Sequence, residues 1–517
     1  MHNPIKEVNL TIDNKPRQTF RSYGIYLSGC GQELREIKSE TKDKIAKIIF
    51  EDLKMNLLHA IVHIPKDDSI NVDDTEELDN WIQKKIILEL GIGDGSPIDY
   101  MRRYGAELAV CFCDIKERWL HEVLAKNDLL GANDQNIVAI TGQSDMSWLP
   151  GEKLRPLKED SVDEYVHSVF CVLKRLLERW NLPIKYVATY DEPNFGRIMP
   201  ETMCHIHKKL RKKLDDAGYT DITINGAEVA GINFAFTEIM SNYDKEAYDL
   251  LGAVTLHGFG TGFMDTEHAQ KAEQCGKEVW ITSSGSDPRI KYSDLPRDAM
   301  GRRYFDTVIS AVKNMSAIIV DLNLYVSYMA MWLGLMPAKA DKSALNEVWY
   351  HLLAINPDES TLGTDLLASP EYYFMKNFVA AIEPKCVMRY CESGDEGDMS
   401  ERYNLLNDMK NQMAACAGVN GDGTYGIIIL NKTDSDTRKK QMAAMKDCTK
   451  SSTLVQHSVC LRVKVEAKDL KDSGVKYFKV SRIGKSGKQD GEIISAIDGK
   501  FTIDVNPFEM LTLREEK

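Results

Sequence analysis

The chain has 517 residues, of which 43% are hydrophobic and 28% charged, and carries a formal net charge of −13. That length exceeds one ordinary core and sets an expectation of about two domains, one of them large enough to be a barrel. The modest negative balance argues against nucleic acid or an anionic membrane as the main partner, and no run of about 18 apolar residues predicts a membrane span.

The 11 cysteines fall without regular spacing, so they make no disulfide framework. Cys111 and Cys113 alternate in what reads as a buried strand and are expected to be reduced core thiols. No paired CxxC elements support a structural metal, and no glycine-rich phosphate loop supports a nucleotide; no metal or cofactor is expected. The opening MHNPIKEVNL lacks the apolar core of a signal peptide, which favours the cytoplasm. A chain already trimmed of a leader would instead be secreted.

In chain order, Val8, Leu10 and Ile12 alternate as a strand and are followed by an Asp13-Asn14 turn signal. Ser39 to Leu53 places Ile45, Ile48, Ile49 and Leu53 at helical spacing and leads into the apolar run Leu57 to Ile64. The same order then repeats. Trp81 to Tyr104 precedes Ala106 to Phe112, and Asp163 to Trp180 precedes Tyr186 to Tyr190. Met199 to Ala217 precedes Ile222 to Ile224, and Tyr243 to Leu250 precedes Val254 to His257. His268 to Cys275 precedes Val279 to Thr282, and Tyr304 to Asn314 precedes the apolar run Ala317 to Trp332. Helices alternating with short strands predict a parallel sheet, and about eight such units make a closed (β/α)8 TIM barrel the best count. After Pro370 the texture changes. Tyr425 to Leu430, Leu454 to Val465, Lys476 to Val480, Phe501 to Val505 and Met510 to Leu513 read as strands of an appended C-terminal β-sandwich. Glu392 to Ser400 reads as a solvated acidic loop. The predicted division is 1–18 as strand joining the sandwich, 19–378 as barrel and 379–517 as sandwich.

The stretch that carries chemistry is KYVATYDEPN. A β-branched and aromatic strand is cut off by Asp191, Glu192 and Pro193, which sets two carboxylates at its carboxyl end, where barrel folds collect their catalytic groups. The bland alternative is a solvated turn.

Three segments together carry a family resemblance. TIDNKPRQTFRSYGIYLSG resembles the opening of glycoside hydrolase family 30, with Gln18 and Gly24 in its Q-x-x-x-G-F-G register. SPEYYFMKNFVAAIEPKCVMRY resembles that family's return from barrel to sandwich, and NPFEMLTL its last strand. The resemblance implies a barrel whose fourth strand ends in Asn-Glu-Pro, so that Glu192 takes the acid/base position. It also implies a carbohydrate substrate. A glycosidic oxygen leaves poorly unless protonated, and a carboxyl group supplies that proton.

Three positions depart from the family pattern. Asp191 stands where the family has Asn. The seventh strand, normally W-x-T-E-x-G, reads Trp280-Ile281-Thr282-Ser283-Ser284-Gly285, so Ser283 fills the nucleophile slot. His59 replaces the arginine of the second strand. A retaining glycosidase needs two carboxyl groups about 5 to 5.5 Å apart, and a neutral hydroxyl does not replace one of them. Three explanations stand: an engineered Glu→Ser change, substrate assistance by an Asp191-Glu192 pair acting with a 2-acetamido group, or a rearranged hydrolase using Asp114, Glu228 or Asp287 with water. His257, ending the sixth strand, is a candidate sugar ligand or carboxylate orienter, and Trp332, ending the eighth, a candidate aromatic floor. Tyr190, Trp119 and Phe259 are further candidates for subsites, with packing as the alternative. His59 and His63 share a strand face but lack an obvious third metal ligand. The competing functional class is a carbohydrate-binding pseudoenzyme. The sequence sets neither the sugar nor the oligomeric state.

Overall fold

The computed structural model describes residues 5–27, 31–65, 70–113, 159–193, 198–231, 239–259, 266–285, 308–332, 334–337, 352–355, 362–393, 412–433 and 458–517. After a first strand β1 (Ile5–Ile12), the barrel is built from β2 (Ser22–Leu27), β3 (Leu57–His63), β4 (Glu107–Cys113), β5 (Ile184–Ala188), β6 (Thr223–Asn225), β7 (Val229–Ala230), β8 (Ala253–Phe259), β9 (Glu278–Gly285) and β10 (Val326–Met331). The sheet order is β6-β5-β4-β3-β2-β10-β9-β8-β7, and every strand pair in it is parallel. β6 and β7 are two pieces of one short segment, pairing with β5 on one side and β8 on the other. A bridge between Ile224 and Leu251 helps close the ring. Counted that way, the closed sheet is the eight-stranded barrel that the helix and strand alternation predicts.

Side chains sort by the period of two along each strand. Leu57, Ala109, Tyr186, Ala253, Trp280, Tyr328 and Ala330 fill the barrel interior, while Leu58, Val110, Val187, Val254 and Ile281 pack outward under the helices. At the amino-terminal end of the barrel, Arg21 grips Glu278 with two hydrogen bonds of 2.9 Å, donates a third of 2.9 Å to the Tyr186 hydroxyl, and lies 5.2 Å from the Trp280 ring centroid. The glycine of the opening motif has a steric reason. A Cβ at Gly24 would run into the Tyr328 hydroxyl and stand 2.6 Å from the Leu57 carbonyl oxygen. Gln18 Nε2 donates to the carbonyls of Leu322 at 2.6 Å and Val326 at 3.1 Å, tying the lead-in to the eighth barrel strand.

The apolar run Ala317 to Trp332 is not one strand. Helix Val308–Asn323 occupies its first part, with Ile318, Ile319 and Leu322 buried at helical spacing, and the chain turns at Tyr325, whose φ is 86°, into β10. A continuous apolar run hides such a turn because helix and strand are both buried there.

Three short strands follow, β11 (Leu335–Pro337), β12 (Leu353–Ile355) and β13 (Leu366–Ala368), and then the helix Pro370–Ala381. The second unit is a mixed ten-stranded sheet made of β1 with β14 (Val387–Arg389), β15 (Cys391–Glu392), β16 (Met413–Val419), β17 (Tyr425–Asn431), β18 (Cys460–Ala467), β19 (Val475–Gly484), β20 (Gly487–Ile497), β21 (Lys500–Val505) and β22 (Glu509–Glu515). β1 runs parallel to β18, with Ile5 beside Cys460 and Ile12 beside Ala467. β18 starts at Cys460 rather than Leu454, and residues 454–457 lie outside the described residues. One apolar cluster runs from the barrel helices through Phe374, Phe378 and Ile382 to Ile428, Leu430 and Met510 of the sandwich-like sheet, so the two units share a core.

On the helix Pro200–Asp216, His207 is fully buried beside the Tyr243 ring, 5.5 Å away, and neither ring nitrogen has a hydrogen-bond partner among the described residues. Burial pushes its pKa down to about 3 from 6.5. The unfolded chain therefore takes up this proton first, and stability is full above pH 6.5 and falls as pH drops towards 3. Between pH 7.5 and pH 5 this residue is expected to remove about 2 kcal/mol of stability. Urea midpoints at both pH values should show the loss in the wild-type protein, and His207→Leu should reduce it.

Candidate active site

The mouth of the barrel gathers side chains from three strands around one buried carboxylate. Glu228 lies between β6 and β7 and has no exposed side-chain surface. His59 Nε2 on β3 stands 2.6 Å from its Oε1, His257 Nε2 on β8 is 3.1 Å from its Oε2, and the Tyr26 hydroxyl on β2 donates to Oε2 at 3.1 Å. Burial alone would push the Glu228 carboxyl up, but the His59 and His257 side chains outweigh it and hold it well below the usual carboxylate range. His257 shows the reverse. Burial disfavours its charge, yet hydrogen bonds to Glu192 and Glu228 raise its pKa well above the ordinary histidine value. A ring with both nitrogens on carboxylates, Nδ1 on Glu192 Oε1 at 2.8 Å and Nε2 on Glu228 Oε2, is an imidazolium donating from both sides.

The chain turns just beyond the fourth barrel strand, which ends at Ala188. Asp191 keeps strand geometry, bridged to Glu228, and points inward near His257 Nε2 at 3.6 Å. Adjacent residues of a regular strand face opposite sides. Glu192 escapes that rule because its φ is 49°, in the left-handed region, and its amide donates to the Glu228 carbonyl at 2.8 Å. The bend that brings both acids to one pocket is at Glu192. Their side chains keep 24% and 25% of their surface exposed, so both reach the pocket.

Ser283 reaches the same face through an irregularity in β9. Leu256 pairs with Ile281 but His257 pairs with Ser283, so Thr282 is the extra residue of a bulge and Ser283 shares the inward face of His257. Its hydroxyl is buried and has no partner among the described residues. Trp332 follows β10, is half-buried, and meets the Tyr26 ring edge-on at 4.9 Å. Together the two rings form an aromatic wall, with Tyr26 also 4.6 Å from the His59 ring.

Of the residues expected from sequence, the fold brings Asp191, Glu192, Ser283, His257, Trp332 and His59 together. Tyr190 is not among them. It lies on the outward face, 6.1 Å from the Tyr165 ring in the layer beneath the helices, because its strand neighbour Asp191 takes the inward position. Asp114, Trp119 and Asp287 lie outside the described residues. His63 sits near Glu89, 4.0 Å away, rather than with His59. Glu228, a candidate to activate water, has no exposed side-chain surface and lies against two histidines and a tyrosine. Tyr26 and Cys111 were missed. The Cys111 thiol lies on the inward face, 3.9 Å from Asp191 Oδ1. The signal for both was the period of two in their strands, which places them beside inward residues. Cys111, Asp191 and Glu228 bring ligand atoms within 4.8 Å of one another, but the Glu228 carboxylate is already held by His59, His257 and Tyr26.

No family model and no curated sequence matches the chain. Solved structures do. SrfJ from Salmonella typhimurium superposes with a TM-score of 0.62 at 12% identity, over 99% of this chain and 93% of that one. The catalytic domain of GH30 xylanase C from Talaromyces cellulolyticus gives 0.58 at 11% identity, over 98% and 100%. An endo-beta1,6-glucanase gives 0.58 at 14%, over 98% and 94%. The fold is that of the family 30 glycoside hydrolases. Within that GH30-like fold the loop-borne and strand-end residues decide the chemistry.

Removing the buried anion should be costly. Glu228→Ala leaves two histidines facing a void and is expected to lower stability by about 3 to 5 kcal/mol. The sign with pH follows from both partners. The raised His257 contributes fully below pH 6.5 and loses its contribution as pH rises through its elevated value. The lowered Glu228 contributes above pH 4.5 and loses its share as pH falls. The penalty of Glu228→Ala, read from denaturant midpoints, should therefore be largest between these two values and smaller at pH 9.

Proposed function

We propose that the barrel mouth hydrolyses a glycosidic bond, with Glu192 as general acid/base and Asp191 orienting a 2-acetamido group of the substrate. The observation that carries this reading is the left-handed backbone at Glu192, which turns two adjacent, part-exposed carboxylates into one pocket. Strain of that kind at a non-glycine residue is kept where the surrounding structure enforces it, commonly at functional sites.

The site chemistry follows from what each group can do. Glu192 gives a proton to the glycosidic oxygen as the bond from that oxygen to C1 breaks, and the bonding electron pair leaves with the oxygen. The carbonyl oxygen of the substrate's own acetamido group attacks C1 and closes an oxazolinium ring. Asp191 accepts the acetamido N–H and offsets the charge that develops there. Water then loses a proton to Glu192 and attacks C1, which reopens the ring with net retention. His257, hydrogen-bonded to both Glu192 and Glu228, positions the Glu192 carboxyl group. This route uses no carboxylate on β9, which fits a serine at position 283. Trp332, part-exposed and backed by the buried Tyr26 ring, offers an apolar face to the sugar C–H groups.

A second reading is favoured by Ser283 itself: a neutral, buried side chain in the nucleophile slot is what a carbohydrate-binding protein without turnover would carry. A panel of chromogenic glycosides separates the two, with β-N-acetylhexosaminides beside glucosides, xylosides, fucosides and galactosides. Activity is expected on the 2-acetamido sugars alone, falling about 100- to 10,000-fold in Glu192→Gln and about 100-fold in Asp191→Asn. Cleavage of plain glycosides would sink substrate assistance. No cleavage of anything until Ser283→Glu is made would identify a binding protein or a disabled hydrolase.

A further inference from the structure

Away from the barrel mouth, three side chains with metal-binding chemistry meet on the outer surface. His167 and Cys171 lie four residues apart on the helix Glu159–Glu178, so both point from one helical face. Asp73 comes from the turn that precedes the helix Thr75–Ile82. We propose that Asp73, His167 and Cys171 form a binding site for one zinc ion, with water completing a tetrahedron.

The geometry is close to what zinc requires. Bonds of about 2.0 Å to nitrogen and oxygen and about 2.3 Å to sulfur set tetrahedral ligand atoms about 3.3 to 3.6 Å apart. Cys171 Sγ lies 3.7 Å from His167 Nε2 and 3.8 Å from Nδ1, and Asp73 Oδ1 lies 2.7 Å from Nε2. One ligand atom from each residue falls within 4.8 Å of the other two. The short His167 to Asp73 contact is a hydrogen bond. Replacing its proton by a cation needs a separation greater by about half an ångström and a turn of the half-exposed ring.

The frame around the trio is fixed. Asp74 caps the helix Thr75–Ile82 by accepting from the amides of Glu76 and Glu77, and Asn71 Oδ1 accepts from the Asp73 amide at 3.1 Å. One helical turn beyond Cys171, Arg175 grips the buried Asp79 with two hydrogen bonds of 2.7 Å, which locks the same two helices together. The charge count also suits a dication. A carboxylate and a metal-bound thiolate balance two positive charges. Nitrogen, oxygen and sulfur donors together favour zinc over magnesium or calcium. This site does not depend on the proposed glycosidase chemistry. Its role is that of a staple between the helices that follow the second and third barrel strands.

The test is a cobalt(II) titration of the full-length protein after chelator treatment and desalting, followed by zinc competition. The expected result is one equivalent of tetrahedral cobalt with a sulfur-to-cobalt charge-transfer band, displaced by zinc and accompanied by a rise in melting temperature. Cys171→Ser should abolish the band, and Asp73→Asn and His167→Gln should each weaken binding about tenfold or more. All three positions are at or near the surface, so the variants should fold, which circular dichroism checks. Absence of the band in folded wild-type protein overturns the proposal, and so does a band of equal strength in Cys171→Ser, which would place the cobalt on another cysteine.

Discussion

The carboxylate of Glu228 is the constraint on which the barrel mouth depends. A charge with no exposed surface must be compensated where it stands. Three strands therefore converge on it, β2 with Tyr26, β3 with His59 and β8 with His257. The same residue also shapes the backbone beside it, because its carbonyl accepts the Glu192 amide and its bridge to Asp191 extends the fourth barrel strand. Side chain and main chain of one residue thus hold the charged imidazolium and the turned acid pair in place. The pocket's accessible acids, Asp191 and Glu192, lean on an anion that never meets solvent.

The family 30 resemblance implies departures at positions 59, 191 and 283. A histidine in place of the strand-two arginine sits against Glu228 rather than beside a nucleophile. The shared fold with a xylanase and a glucanase fixes the scaffold alone.

The limits of sequence reading fall where burial erases periodicity. Val8, Leu10 and Ile12 alternate visibly because one face of β1 is covered and the other is not. The run from Ala317 to Trp332 is apolar throughout, since both the helix and β10 are buried, and its turn at Tyr325 leaves little trace. β16, with the sequence MAACAGV, was passed over because its small residues lack β-branched bulk, although it lies buried between β14 and β17. Strand β20 was passed over for the opposite reason, being almost wholly exposed and polar.

Local spacing was enough to determine the alternating helices and strands, the eight-unit barrel, the all-β second unit and the placement of Asp191 and Glu192 at a strand end. Those features depend on residues within one or two turns of each other, where period and turn chemistry act directly. Tertiary structure alone decided the rest: that Glu192 turns left-handed, that Glu228 is buried among His59, His257 and Tyr26, that Ser283 reaches the inward face through a bulge, and that Tyr190 faces away. Each of these rests on contacts between strands far apart in the chain. Only closure of the barrel sets their register and removes the water that would otherwise have solvated their charges.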